Sequence, residues 1–251
     1  MGFARVNGIV LHYRVHGVET APVLALANSL GTDARIWDAV IERLSAHYRI
    51  ISYDKRGHGL SETPKGDYTI EDNVADLAGL LDHLGVTRLA LAGVSVGGMI
   101  AQGFAARYPE RLSALILCDT AAKIGDAYMW NARIAAVRTN GMAAIADAVM
   151  ARWFTETFRQ DEAVALSGWQ MMFERMPVDG YAGTCAALRD ADLRGALGSI
   201  AVPTLVVVGD GDQSTPVDLV RDTADRIPGA LFEIIEGSGH IPSIEQPETL
   251  S

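Results

Sequence analysis

Cysteine is scarce in this chain: only Cys118 and Cys185 occur among 251 residues. That excludes a disulfide framework and a cysteine-built metal centre. Cys118 sits in the apolar run Leu115-Ile116-Leu117-Cys118 and is expected to be a buried core thiol. Positive charge is also short, with 21 Lys and Arg against 31 Asp and Glu, a formal net charge of −10. This argues against nucleic acid or an anionic membrane as the main partner. The acidic residues, among them Glu42, Asp67, Glu71, Asp72, Asp76 and Asp222, are dispersed as on ordinary solvated faces. No apolar run is long enough to span a bilayer, and Met1–Val6 shows no leader with an apolar core and a cleavage site. Internal repeats and low-complexity tracts are lacking as well. The expectation is a soluble, cytoplasmic protein built as one large domain or as a domain with an insertion.

What is present is a rhythm of short apolar runs and helical spacings. Asn7-Gly8 between Phe3–Val6 and Ile9–Val15 signals a two-residue hairpin. Val23–Ala27, wholly apolar, predicts a strand covered on both faces, and Tyr48–Tyr53, Leu89–Ala92 and Leu112–Cys118 predict further strands. Ile70, Val74, Leu77, Leu81 and Leu84 recur at helical spacing and predict a helix over 69–84, with Asp72 and Asp76 facing solvent. Strands alternating with helices imply a mostly parallel sheet between helical layers. From residue 121 to 193 no strand is evident, and helices are expected at Tyr128–Thr139, Ala143–Trp153, Glu162–Glu174 and Tyr181–Leu188. Strands return at Thr204–Val208 and Ala230–Ile235, with a helix at Val217–Ile227 between them. The fold class is therefore α/β, with eight strands and a helical cap (121–193) inserted after the sixth strand into a core domain formed by 1–120 and 194–251. Gln246-Pro247-Glu248 opens a final helix that stops at Ser251, so the last helix expected to cover the sheet is short or missing in this sequence.

The chemistry centres on Gly93-Val94-Ser95-Val96-Gly97, with a strand run before it and a helical run after it. A strand turning into a helix around G-x-S-x-G exposes a serine hydroxyl on a strained elbow. Serine needs a base, usually histidine, which needs an orienting carboxylate. Of six histidines only His240 lies far downstream, in Gly237-Ser238-Gly239-His240 after the last strand. His12, His16, His47, His58 and His83 all lie upstream of Ser95 and are expected to be structural or solvated. For the acid, Asp210 and Asp212 compete in the loop after Leu205–Val208. Asp212 is favoured because it lies farther into the turn, ahead of Thr215-Pro216. Two donors must face the developing oxyanion. The Val96 N–H is one, and the loop after Val23–Ala27 must supply the other.

With Ser95, Asp212 and His240 in that order, the chain resembles the α/β-hydrolase superfamily over nearly its whole length. Gly209-x-x-Asp212 with Thr215-Pro216 is similar to its acid loop, and Gly239-His240 with Gln246-Pro247-Glu248 to its histidine loop. Asp54-Lys55-Arg56-Gly57-His58-Gly59-Leu60-Ser61 is similar to its D-x-R-G-x-G-x-S segment, which implies that Asp54, Arg56 and Ser61 tie a loop near the site. Asn28-Ser29-Leu30-Gly31 replaces the His-Gly of many relatives. Alignment of that loop implies the Leu30 N–H as second oxyanion donor and places Ser29 beside the substrate.

Asn28–Asp33, Tyr53–Pro64, Gly93–Gln102 and Asp119–Gly125 most resemble the 3-oxoadipate enol-lactonases of bacterial protocatechuate and catechol breakdown. The resemblance implies a small anionic enol-lactone with an acetate arm as substrate, water as second substrate, and neither metal nor cofactor. An acidic protein needs a local cation to hold that arm. Arg133 is the candidate, one turn from Trp130 on one helix face, with Arg138 and Arg152 as rivals. Trp153, Trp169, Met171, Met172 and Met176 are assigned to packing. Other readings on this scaffold are a general carboxylesterase, an acyltransferase or a ligand-binding receptor.

Overall fold

Asn7 and Gly8 both take positive φ, 47° and 81°, the backbone that a two-residue hairpin demands. They join β1 (Gly2–Val6) to β2 (Ile9–His16). The computed structural model describes residues 1–251. The sheet continues through β3 (Val23–Ala27), β4 (Arg49–Tyr53), β5 (Leu89–Val94), β6 (Leu112–Cys118), β7 (Thr204–Gly209) and β8 (Leu231–Ile235) in the order β1-β2-β4-β3-β5-β6-β7-β8. β2 runs antiparallel to β1 and β4, and every other pairing is parallel. Short apolar runs such as Val23-Leu24-Ala25-Leu26-Ala27 suit these positions because helices cover both faces of the sheet.

Helices α1 (Asp38–Leu44), α2 (Ile70–His83) and α3 (Val96–Arg107) precede β6. Five helices then separate β6 from β7: α4 (Ala127–Asn140), α5 (Ala143–Trp153), α6 (Glu156–Asp161), α7 (Ala163–Glu174) and α8 (Val178–Asp190). α6 has no apolar periodicity to announce it. It starts where the Thr155 hydroxyl accepts the Phe158 N–H at 3.2 Å. Trp130, Val137, Trp153 and Phe173 of this block share one hydrophobic cluster with sheet residues such as Leu91 and Val206. The block and the sheet thus share one continuous apolar core. α9 (Val217–Asp225), α10 (Pro242–Glu245) and α11 (Pro247–Leu250) complete the chain. No helix is long and apolar enough to cross a membrane.

Asp76 corrects the reading of α2. It is fully buried, bonded by Arg56 Nε at 2.7 Å and Nη2 at 2.8 Å and by Asn7 Nδ2 at 3.1 Å. Helical spacing records a residue's place on its own helix, not a guanidinium brought in from a distant loop. Asp54 is tied in the same way: its carboxylate accepts the Ala34 and Leu60 N–H groups and lies 2.8 Å from His12 Nδ1, while Ser61 Oγ donates to its carbonyl.

Candidate active site

Ser95 stands between β5 and α3 with φ 58° and ψ −120°, a conformation that costs a non-glycine residue about 1–3 kcal/mol. The surroundings hold it there. Its N–H donates to the Cys118 carbonyl at 3.0 Å, and its carbonyl accepts Thr120 Oγ1 at 2.6 Å and Met99 N at 3.1 Å. A Cβ at Gly93 would strike the Gly97 carbonyl, and one at Gly97 the Ala27 carbonyl, so neither position admits a side chain. Val96 opens α3, where first-turn N–H groups have no helical acceptor. The Leu30 N–H likewise has no acceptor in the protein.

Asp212 and His240 come from the loops after β7 and β8. His240 Nδ1 lies 2.8 Å from Asp212 Oδ2, and both side chains are buried. Asp212 also accepts Thr215 Oγ1 at 2.6 Å, Ser214 N at 2.6 Å and Thr215 N at 3.1 Å. Burial opposes its charged form, but the imidazole and these donors outweigh that and hold its carboxyl below the usual range. Asp210 is exposed on the same loop, 3.3 Å from the Ser238 N–H. The two aspartates are thus distinguished by the direction the turn sends each carboxylate. The His240 backbone N–H is anchored on the Trp153 carbonyl of α5 at 2.7 Å, tying the histidine loop to the helical block.

Asp119, at the end of β6, is a neighbour that the sequence reading did not single out. Ligand atoms of Asp119, Asp212 and His240 all lie within 4.8 Å of one another, a spacing a metal ion could use. The Asp212 carboxylate already receives four donors, about as many as its lone pairs serve, which fits imidazole orientation better than metal ligation. Asp119 Oδ1 accepts the Gly209 N–H at 2.9 Å, whereas its buried Oδ2 has no partner. Burial, then the charge of Asp212, pushes its carboxyl well above the usual range. The folded state therefore keeps a proton that the unfolded chain releases above about pH 4, and stability falls as pH rises beyond that. Asp119→Asn retains an acceptor for Gly209 and cannot ionise. It is expected to raise the melting temperature more at about pH 8 than at about pH 4.5; equal shifts in thermal melts at both pH values would contradict a protonated Asp119.

Ser29, Leu30, Ser95 and His240 line one side of a cavity of about 110 Å³, and Trp130, Arg133, Arg152, Trp153 and Tyr181 of the helical block line the other. This volume suits a ligand well below drug size. Trp130 Nε1 donates to the Ile124 carbonyl at 2.7 Å, which leaves the cavity only its apolar ring. Arg133 is half-buried. Its Nη1 donates to Tyr181 Oη at 3.2 Å, and it forms no ion pair. Arg138 lies outside the cavity, 3.9 Å from Asp67, and Arg152 is an exposed residue at the wall. Trp153 is buried, as packing requires, yet also lines the cavity. Tyr181 went unforeseen because its place depends on α8 lying against α4, which no local pattern encodes.

A buried serine on a strained elbow and a buried Asp–His pair meet at one cavity, which Leu30 also lines, on a doubly wound sheet; the exposed elbow expected from the glycine pattern is covered in the folded chain. The chain belongs to the α/β-hydrolase-fold family, whose match spans residues 22–247. It is 37% identical to 3-oxoadipate enol-lactonase 2 of Acinetobacter baylyi, over 97% of this chain and 91% of that protein. The crystal structure of the enol-lactonase from Burkholderia xenovorans LB400 superposes with a TM-score of 0.97 at 41% identity, covering 99% of this chain and 96% of the other. A malate-bound thermophilic esterase from Thermogutta terrifontis superposes with a TM-score of 0.94 at 31% identity, covering 100% of this chain and 95% of the other.

Proposed function

We propose that this hydrolase of ester and lactone bonds opens 3-oxoadipate enol-lactone to 3-oxoadipate, as a step in bacterial breakdown of protocatechuate and catechol. Ser95 Oγ attacks the ring carbonyl while His240 takes its proton and Asp212 holds the imidazole and balances its charge. The Leu30 and Val96 N–H groups receive the oxyanion. The ring C–O bond then breaks, and the leaving enolate takes the proton and becomes the ketone. Water, deprotonated by His240, attacks the acyl-enzyme carbonyl; the Ser95 ester bond breaks, and the serine regains its proton. Residues 121–193 act as a cap that closes the site, with Ser29, Trp130 and Arg133 contacting the substrate.

The observation that carries the substrate is Arg133. A half-buried guanidinium without a carboxylate partner shares a small cavity with Ser95 and His240 in a chain of net charge −10. Its own field would repel an anion unless a local cation received it. The similarity to proteins named enol-lactonases points the same way.

The deciding assay compares kcat/KM for the carboxylate-bearing enol-lactone and a neutral aryl ester. Arg133→Ala is expected to lower the first by about 30–100-fold, the worth of a charge-assisted contact. The neutral ester should change by no more than about 3-fold. Equal losses on both substrates would reject Arg133 as the anchor. A wild-type preference for the aryl ester would favour a general carboxylesterase.

A further inference from the structure

Lys55 lies fully buried just after β4, beneath the loop that carries Leu30. Its ammonium meets no carboxylate: Nζ donates to the Ser29 carbonyl at 2.5 Å and reaches the Asn28 carbonyl at 3.5 Å. The Ser29 carbonyl belongs to the same peptide unit as the Leu30 N–H. We propose that Lys55 is a positioning residue of the oxyanion hole, fixing and polarising the Ser29–Leu30 peptide so that the Leu30 N–H faces the reacting oxygen as a strengthened donor.

Three donors converge on that carbonyl. Besides Lys55 Nζ, it accepts Thr32 Oγ1 at 2.9 Å and Thr32 N at 3.4 Å. The next peptide is held separately, by the Gly31 N–H donating to His58 Nε2 at 3.0 Å, with His58 Nδ1 3.1 Å from the Arg56 carbonyl. Burial, then the charge of Lys55, holds His58 well below the usual imidazole range, which keeps Nε2 free as an acceptor. The Ser29 carbonyl and the Gly31 N–H are thus committed to the scaffold, while the Leu30 N–H has no acceptor. A donor on a peptide oxygen draws electron density from the nitrogen and strengthens its N–H as a donor, and a cation does so more than a neutral group.

The position is a costly one for a lysine. Burial draws Lys55 down to about 7, opposed only by the fields of Asp54 and Asp33. A scaffold that needed only a filled volume here would be better served by an apolar chain, since a buried cation without a counter-ion loses its hydration for little return.

The inference rests on the proposed Ser95 mechanism, so Ser95→Ala is the control. If aryl ester turnover survives Ser95→Ala, that mechanism fails whatever Lys55 does. With turnover dependent on Ser95, Lys55→Met is expected to lower kcat for p-nitrophenyl acetate about 10–100-fold, short of the loss of a whole oxyanion donor. KM should stay within about 3-fold, and affinity for an aryl trifluoromethyl ketone, which forms a tetrahedral adduct with serine, should fall in parallel with kcat. Lys55→Gln, which can keep a donor without the charge, should fall in between. Folded variants with wild-type kcat, or with lowered kcat but unchanged ketone affinity, would overturn the inference. If Lys55→Met does not fold, Lys55→Gln decides on the same readouts; failure of both to fold would assign Lys55 to the scaffold alone.

Discussion

Ser95→Ala is expected to abolish hydrolysis of both lactone and aryl ester, lowering kcat by about 10⁵–10⁶-fold. The residue left behind keeps the elbow's backbone, because alanine at φ 58° carries much the same strain as serine, and the bonds from Ser95 N to Cys118 and from Thr120 Oγ1 to Ser95 O use no side-chain atom of Ser95. The melting temperature should therefore move by no more than about 3 °C. Steady-state assays on both substrates, with a thermal melt of the same preparation, measure both quantities. Turnover near the wild-type level in folded protein would remove Ser95 as nucleophile, and with it the acyl-enzyme mechanism.

Asp212→Asn is expected to cost about 10⁴-fold in kcat, with KM far less affected. Asparagine Oδ1 can still accept the Ser214 and Thr215 N–H groups that Asp212 Oδ1 holds at 2.6 and 3.1 Å. Its Nδ2, however, would replace the oxygen now 2.8 Å from His240 Nδ1. Two donors cannot share that contact. The imidazole would have to carry its proton on Nε2, where it can no longer take one from Ser95. A loss below about tenfold would contradict this role. It would transfer the negative charge to Asp119, whose unpaired Oδ2 lies in the same cluster.

The strands, the elbow and the order of the three candidate catalytic residues were legible because each is written locally. Short apolar runs mark strands, two glycines mark a turn that admits no side chain, and Gly239-His240 follows the last strand. Misreadings occurred where a residue's partner comes from elsewhere in the chain. Asp76 was assigned to solvent, yet Arg56 and Asn7 bury it. Trp153 packs in the core as expected and in addition borders the cavity, while its backbone carbonyl anchors His240. Arg133 is preferred to Arg138 and Arg152 only by its spacing from Trp130, which says nothing of what the helix faces. Only the packing of α4 against α8 sets it beside Tyr181 in the cavity, with Arg138 outside near Asp67.

The sequence by itself determined the sheet, the helical block and the identity of the groups available for chemistry, because periodicity and glycine placement act through neighbours along the chain. The tertiary structure alone decided which groups meet. It left Asp119 with an unpaired buried oxygen and placed the Lys55 side chain on the Ser29–Leu30 peptide beside the cavity. These outcomes depend on distances between loops far apart in sequence, and on the cost of leaving charge buried without a partner.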